Sequence, residues 1–390
     1  MKPRINVHIF ESTLQNESRL LKETQMHLEW KIFDQIIVFG HWKVGFERIE
    51  MMGAKRKFIR LVTPIDRLKS GTWTMRTPLL RWAIALLSML IFRAKIILRT
   101  LDYKPSFVSV HNPSLLGTAF FIKLLTGARI VYVPHELESR RTGTSHFQRI
   151  SVWMKERLLK RLLHHTILVS PEIEKWYQKK LGFLKTSTIR NIPINPYLGK
   201  TVPESTYLKD QMRISHNDIL FIYQGIINSY RGIETLLDVF MEQDRCHIVF
   251  MGFGELTSLV KECSERSEFV HFYPAVEMES IISVTSSADI SLLFVDSPMS
   301  ESYRLTTANK FYEGIISGTP FVISSNFSYM SEENTINNLG WVLPPEKAAM
   351  EGFVRSITRE MISEKRKNCL SYGSKISWTT EAEMLKSIYR

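Results

Sequence analysis

Two stretches of the sequence set residues with chemical capacity at informative spacings. In Thr307–Phe327, Asn309 stands where it caps a helix, Lys310 falls in the first turn and Glu313 lies about one turn further on. Phe311, Ile315 and Ile316 predict a core-facing side that leaves Lys310 and Glu313 off it. A cation is mildly unfavourable at a helix start, where the backbone dipole is positive. It makes sense there if an anion occupies the helix end, and Glu313 then suits two ribose hydroxyls. In Tyr223–Leu237 a strand ends at Gly225 and a helix opens near Gly232, with Arg231 at its mouth. Glycines allow close backbone approach, and an arginine beside a helix N-terminus suits phosphate. The plainer alternatives are a surface lysine and a solvated loop arginine.

Three further stretches are weaker. His111-Asn112-Pro113 and Pro134-His135-Glu136 each follow a strand, so two imidazoles stand at carboxyl strand ends, where they orient or deprotonate a hydroxyl. Gly252-Phe253-Gly254 follows a strand but lacks the third glycine of a dinucleotide fingerprint (Thr257 stands there), so it reads as a tight turn. Ser151–His165 reads as a helix with Leu158, Leu159, Leu162 and Leu163 inward and Lys155, Arg157, Lys160 and Arg161 outward, suited to solvent or to an anionic membrane surface. No Asp-x-Asp pair, HExxH, Walker A loop or Gly-x-Ser-x-Gly elbow occurs, so neither metal-dependent chemistry nor acyl transfer has visible machinery.

The elements that must position these residues alternate. Continuous apolar runs predict strands at Ile5–Phe10, Ile36–Phe39, Phe58–Val62, Phe107–His111, Ile130–Val133, Ile167–Val169 and Thr188–Arg190, with amphipathic stretches between most of them. After a turn-rich segment, Pro193–Asn217, the pattern restarts with strands at Leu220–Tyr223, Ile248–Met251, Val270–Phe272, Ile290–Val295 and Phe321–Ser324. A helix is predicted over Ile233–Glu242 and a last one over Thr380–Tyr389. The fold class expected is α/β, two doubly wound Rossmann-like units facing a cleft, with ligands beyond the carboxyl ends of the strands. The expected division is 1–195, a basic first domain; 196–375, a second domain; and 376–390, a helix returning to the first.

The 390 residues carry a net charge of +12, unevenly spread. Residues 1–195 hold 33 Lys and Arg against 14 Asp and Glu; the remainder holds 18 against 25. The basic body is expected to meet phosphates, of lipid headgroups or nucleic acid. Three cysteines without metal-ligand spacing fit a reducing compartment. Leu79–Leu98 is apolar but broken by Arg81, Arg93 and Lys95, so it reads as a core or interface-lying helix rather than a membrane span. No cleavable signal peptide is expected.

Taken in order, these stretches resemble the GT-B glycosyltransferases of family 4 over nearly the whole chain. Ser18-Arg19 is similar to the opening after the first strand, Tyr132-Val133-Pro134-His135-Glu136 to Tyr-Asp-x-His-Glu, and Gly225 with Arg231-Gly232 to the phosphate loop. Asn309-Lys310-Phe311-Tyr312-Glu313 with Gly318-Thr319-Pro320 resembles the Asn-Lys-x-x-Glu…Gly-x-Pro segment. Val169-Ser170-Pro171, Asn191-Ile192-Pro193 and Ser377-Trp378 add to the resemblance. Leu305 stands where the family often has a first glutamate, Val133 replaces the usual Asp, and Ile226 the usual basic residue.

The resemblance implies a retaining, metal-independent transfer of a sugar from a nucleoside diphosphate, expected to be UDP, to an acceptor hydroxyl; the basic first domain suggests that the acceptor is a lipid-linked glycan, as in surface polysaccharide synthesis. It implies no cofactor, the nucleotide sugar being a substrate. Donor binding would fall to Gly225, Arg231, Asn309, Lys310 and Glu313, catalysis to His135 and Glu136, and the acceptor side to His111 and Arg19. The expected place is the cytoplasm, at the inner face of the cell membrane. The rival readings are a GT-B epimerase or phosphorylase, and a nucleic-acid-binding protein; the latter lacks any stacking motif or reading module, so no nucleic-acid partner is expected.

Overall fold

A computed structural model describes residues 3–15, 17–67 and 78–390. They divide into two compact units, Met1–Ile189 with Ala382–Arg390, and Arg190–Glu381.

The first unit is built on a sheet of strands β1 (Ile5–Ile9), β2 (Gln35–His41), β3 (Ile49–Met51), β4 (Arg56–Leu61), β5 (Phe107–Val110), β6 (Arg129–Tyr132), β7 (His165–Leu168) and β8 (Thr186–Thr188). Their order is β3-β4-β2-β1-β5-β6-β7-β8, parallel except for β3 against β4. Most expected strands lie close to their predicted bounds because their apolar runs are buried on both faces, as β1 is throughout; β8, a half-buried edge strand, shares only Thr188 with the expected Thr188–Arg190. Strand β3 was not expected: it is an edge strand with Ile49 and Met51 exposed, so it carries no buried run.

Helix α1 (Ser18–Glu29) links β1 to β2, whereas α2 (Pro78–Tyr103), α3 (Leu116–Thr126) and α4 (His146–Leu159) make crossovers running the other way along the sheet. Right-handed crossovers therefore set α2, α3 and α4 on one face and α1 on the other, and α2 packs on α3 and α3 on α4. Helix α4 starts earlier than the leucine pattern predicts. Ser145 and Gln148 cap it reciprocally at 3.3 and 2.9 Å. It ends at Leu159, and Leu158 is turned outward rather than into the core.

The unit is completed from far along the chain. The last predicted helix is broken into Trp378–Ala382 and Leu385–Ile388. Beyond the break the Tyr389 ring is fully buried, edge-on to His27, Phe107 and Phe33 at 4.5, 5.3 and 5.4 Å. Its hydroxyl meets Ser109 Oγ at 2.8 Å and donates to Glu23 Oε1 at 3.1 Å. Seating this ring outweighs helical continuity.

The second unit is an all-parallel sheet of β9 (Ile219–Ile226), β10 (Cys246–Phe253), β11 (Val270–Pro274), β12 (Ile290–Leu293), β13 (Phe321–Ser324) and β14 (Gly340–Leu343), in the order β11-β10-β9-β12-β13-β14. Helix α5 (Ile233–Met241) follows β9, and α6 (Asn309–Ile316) precedes β13. Strand β14, only half-buried, escaped prediction. The segment entering this unit is bound to the one leaving it. The Arg190 guanidinium pairs with Glu381 at 2.6 Å, and Asn195 Nδ2 donates to the carbonyls of Gly373 and Ile376, each at 2.9 Å. Among the described residues no helix is long and apolar enough to cross a membrane.

Candidate functional site

In the second unit, β9 and β10 run side by side to their carboxyl ends, with Gly225 opposite Gly252. The expected tight turn at Gly252-Phe253-Gly254 is instead the last part of β10 and the residue beyond it. A side chain at 252 would put Cβ 1.8 Å from the Gly225 carbonyl oxygen, and glycine alone permits that approach. Gly232 holds a left-handed conformation (φ 75°) and starts α5; Cβ there would meet the Phe294 carbonyl at 2.3 Å.

Around these strand ends lies a cavity of about 420 Å³, within the range of small-molecule sites. Gly225, Arg231, Asn309, Lys310 and Glu313 all line it. Asn309 does not cap α6 as expected: Ala308, in extended conformation, holds that position, and no side chain caps the helix. The Phe311 amide donates to the Ala308 carbonyl at 3.0 Å, which leaves the Asn309 and Lys310 amides to solvent or ligand. The Lys310 ammonium sits 4.3 Å from the centre of the Tyr223 ring and lies against Gly225, where a Cβ would come within 3.3 Å of it. The Arg231 guanidinium lies 4.3 Å over the Tyr303 ring. Aromatic faces hold both cations without neutralising them. Burial pushes the Lys310 pKa down to about 7; Arg231 adds to the fall and Glu313 opposes it. The cavity is thus built to gain an anion.

Glu313 is buried and its Oε2 accepts from Gln224 Nε2 at 2.6 Å, while Gln224 Oε1 accepts from Thr285 Oγ1 at 2.6 Å. These contacts aim the carboxylate. Gln224, Tyr223 and Tyr303 were not singled out from the sequence; the polar Gln224 closing an otherwise apolar strand was the one available signal. The remaining wall is apolar, with Ile226, Phe253 and Val276.

In the first unit, His111 follows β5 and His135 lies just beyond β6, and His111 Nδ1 meets His135 Nε2 at 3.0 Å. The line continues inward: His8 Nδ1 meets His111 Nε2 at 3.0 Å, and Asn6 Nδ2 meets His8 Nε2 at 3.0 Å. Burial lowers the pKa of His8 and His135 to about 3 and that of His111 well below its usual value, with Arg19 contributing at His111 and His135. All three rings are neutral near pH 7, each with one donor and one acceptor nitrogen. With Asn6 donating to His8, every ring carries its proton on Nδ1, and no single ring can change tautomer alone. His135 is thereby fitted to orient a hydroxyl by donating a hydrogen bond; with a pKa of about 3 it takes up a proton poorly. His8 and Asn6 were missed in the sequence, where their alternation inside the buried run of β1 was the signal.

Arg19 is buried and donates to the Ile189 carbonyl at 2.8 Å. Glu136, expected to be catalytic, lies half-exposed in an ion pair with Arg141 at 3.2 Å. The perturbed carboxyl is Glu138: burial raises its pKa to about 7 against the opposing pull of Arg141. Among the described residues, His8, Glu23 and His27 bring potential metal-ligating atoms within 4.8 Å of one another. Both His8 nitrogens, however, are engaged by Asn6 and His111.

No family model and no curated protein matches the sequence. Solved structures do match over the full length. Sucrose-phosphate synthase from Thermosynechococcus elongatus is 14% identical, with a TM-score of 0.75 over 99% of this chain and 98% of its own. HepE from Anabaena, solved in complex with UDP, is 13% identical with a TM-score of 0.70 over 98% of each chain. A glycosyltransferase from Rickettsia africae is 10% identical, with a TM-score of 0.71 over 100% of this chain and 98% of its own. With these structures the chain shares the GT-B fold of two Rossmann-like domains.

Proposed function

We propose that the protein is a glycosyltransferase using a nucleoside diphosphate sugar. The observation that carries this reading is that Arg231, Lys310 and the start of α6, which no side chain caps, line one cavity. HepE has been solved with UDP-glucose, and the E. coli trehalose-6-phosphate protein with UDP-2-fluoro glucose, which supports UDP as the nucleotide. In the reaction the bond from the anomeric carbon to the diphosphate breaks and its electron pair leaves with the diphosphate. The acceptor oxygen bonds that carbon and gives up its proton. Arg231, Lys310 and the α6 amides stabilise the charge gathering on the departing diphosphate. Glu313, aimed by Gln224, takes the ribose hydroxyls, and the apolar wall receives the base. His135 orients a hydroxyl at the reacting end, with His111 and Arg19 on the acceptor side.

In keeping with the family 4 resemblance, the transfer retains configuration and needs no metal. The basic first unit favours a lipid-linked acceptor at the inner face of the cell membrane, as in surface polysaccharide synthesis. The test is a screen of nucleoside diphosphate sugars for thermal stabilisation, repeated on Arg231→Ala and Lys310→Ala. Losing one charge-assisted contact of about 1.5–3 kcal/mol lowers affinity roughly 10- to 150-fold in each variant. Unchanged affinity in both would remove the cavity from the reaction.

A further inference from the structure

The three helices on one face of the first sheet leave large apolar side chains in water. Helix α2 is apolar on both sides. Phe92, Ile96 and Thr100 are buried, yet Trp82, Leu86 and Leu90 project outward along one helical ridge. Phe121 of α3 and Phe147 and Leu158 of α4 join them; the six side chains are between 41% and 81% exposed. Soluble surfaces rarely leave so many large apolar groups together, and such a patch marks a binding face.

Charge selects the occupant. Helices α2, α3 and α4 contain eight Lys and Arg against two acidic residues, Asp102 and Glu156. Asp102 lies near the far end of α2. Glu156 is fully buried, where it accepts from the Tyr132 and Tyr177 hydroxyls at 2.9 and 2.6 Å. Of the eight cations, Arg81, Lys95, Arg99 and Arg157 are exposed, against Asp102 as the one exposed acid of these helices, so their outer surface is cationic as well as apolar. A second copy docking face to face would set like charges against each other, which disfavours self-association. An anionic lipid surface satisfies both properties, taking the apolar side chains below its headgroups and the cations among them. At 26 residues, α2 alone offers a line of contact about 39 Å long.

We propose that the outer face of α2, α3 and α4 docks on an anionic lipid bilayer, with the helices lying on the membrane and not crossing it. Docking there rests on the glycosyl-transfer reading only for its purpose, that of holding the enzyme beside a lipid-linked acceptor. Every residue of the face belongs to the first unit, whereas the nucleotide cavity belongs to the second.

The test is sedimentation of the full chain with vesicles of phosphatidylcholine alone and of phosphatidylcholine with phosphatidylglycerol. Binding is expected only with phosphatidylglycerol, and is expected to weaken as salt is raised. The double variant Leu86→Glu/Leu90→Glu and, separately, Lys155→Glu/Arg157→Glu are each expected to lower the affinity at least tenfold. Thermal stabilisation by a nucleoside diphosphate sugar is expected to stay as in the wild type; its persistence shows that the variants fold and isolates the docking result from the enzymatic one. Failure to bind anionic vesicles, equal binding to neutral ones, or a lipid-free dimer that Leu86→Glu/Leu90→Glu dissociates would each overturn the proposal.

Discussion

At the scale of the residue, Lys310 is the side chain on which the cavity turns. Its pKa of about 7, set first by burial, means that the empty cavity holds a partly neutral amine near pH 7. A nucleoside diphosphate sugar keeps both phosphates ionised throughout this range, so it binds the ammonium form more tightly and raises the pKa on binding. Affinity is therefore flat below about pH 7 and falls as pH rises above it, since each binding event must then also take up a proton. Titration calorimetry from pH 6 to about pH 9 in buffers of differing ionisation enthalpy checks both the fall and the proton uptake. Lys310→Arg, which remains charged, is expected to flatten the profile. The spacing of Asn309, Lys310 and Glu313 made their common place at one helix start legible, because first-turn position and charge are local properties. The rings of Tyr223 and Tyr303 were not legible, because each meets its cation only through the fold. Glu136 and Glu138 show the same limit: two glutamates two residues apart, one in an exposed ion pair and one buried, are indistinguishable until their surroundings exist.

At the scale of the element, the close approach of β9 and β10 shapes the cavity floor. A methyl group at 252 collides with the Gly225 carbonyl, a backbone atom that cannot rotate away. Gly252→Ala is expected to cost about 1–3 kcal/mol in urea unfolding and also to weaken nucleotide-sugar binding, because Gly225 lines the cavity. Gly117→Ala in α3, with nothing within 4 Å of the added Cβ, is the control; it is expected to leave binding unchanged and to raise stability by up to about 1 kcal/mol, since alanine favours the helix. Most strands were legible because burial on both faces writes a continuous apolar run. The exceptions, β3 and β14, lie at sheet edges, where exposure removes that run. The glycines of β10 were read as a turn because sequence shows that a glycine is present, not that a neighbouring strand forbids a side chain.

At the scale of the whole molecule, the alternation of strands and helices made two α/β units legible, since it depends only on period and order. The break in the last predicted helix was not, because it serves a pocket whose walls come from α1, β1 and β5. Tyr389→Ala is expected to cost about 3–5 kcal/mol, read as an earlier unfolding transition of the first unit. Tyr389→Phe keeps the ring and is expected to cost about 1 kcal/mol for its hydrogen bonds. That arrangement bears on the order in which the protein is made. The ribosome finishes most of the first unit early, then must synthesise all of the second before Tyr389 emerges, a wait on the order of 10–40 s at ~5–20 residues per second. Until then the nascent first unit has an open slot between His27, Phe33 and Phe107, and its core closes only once Tyr389 has been added.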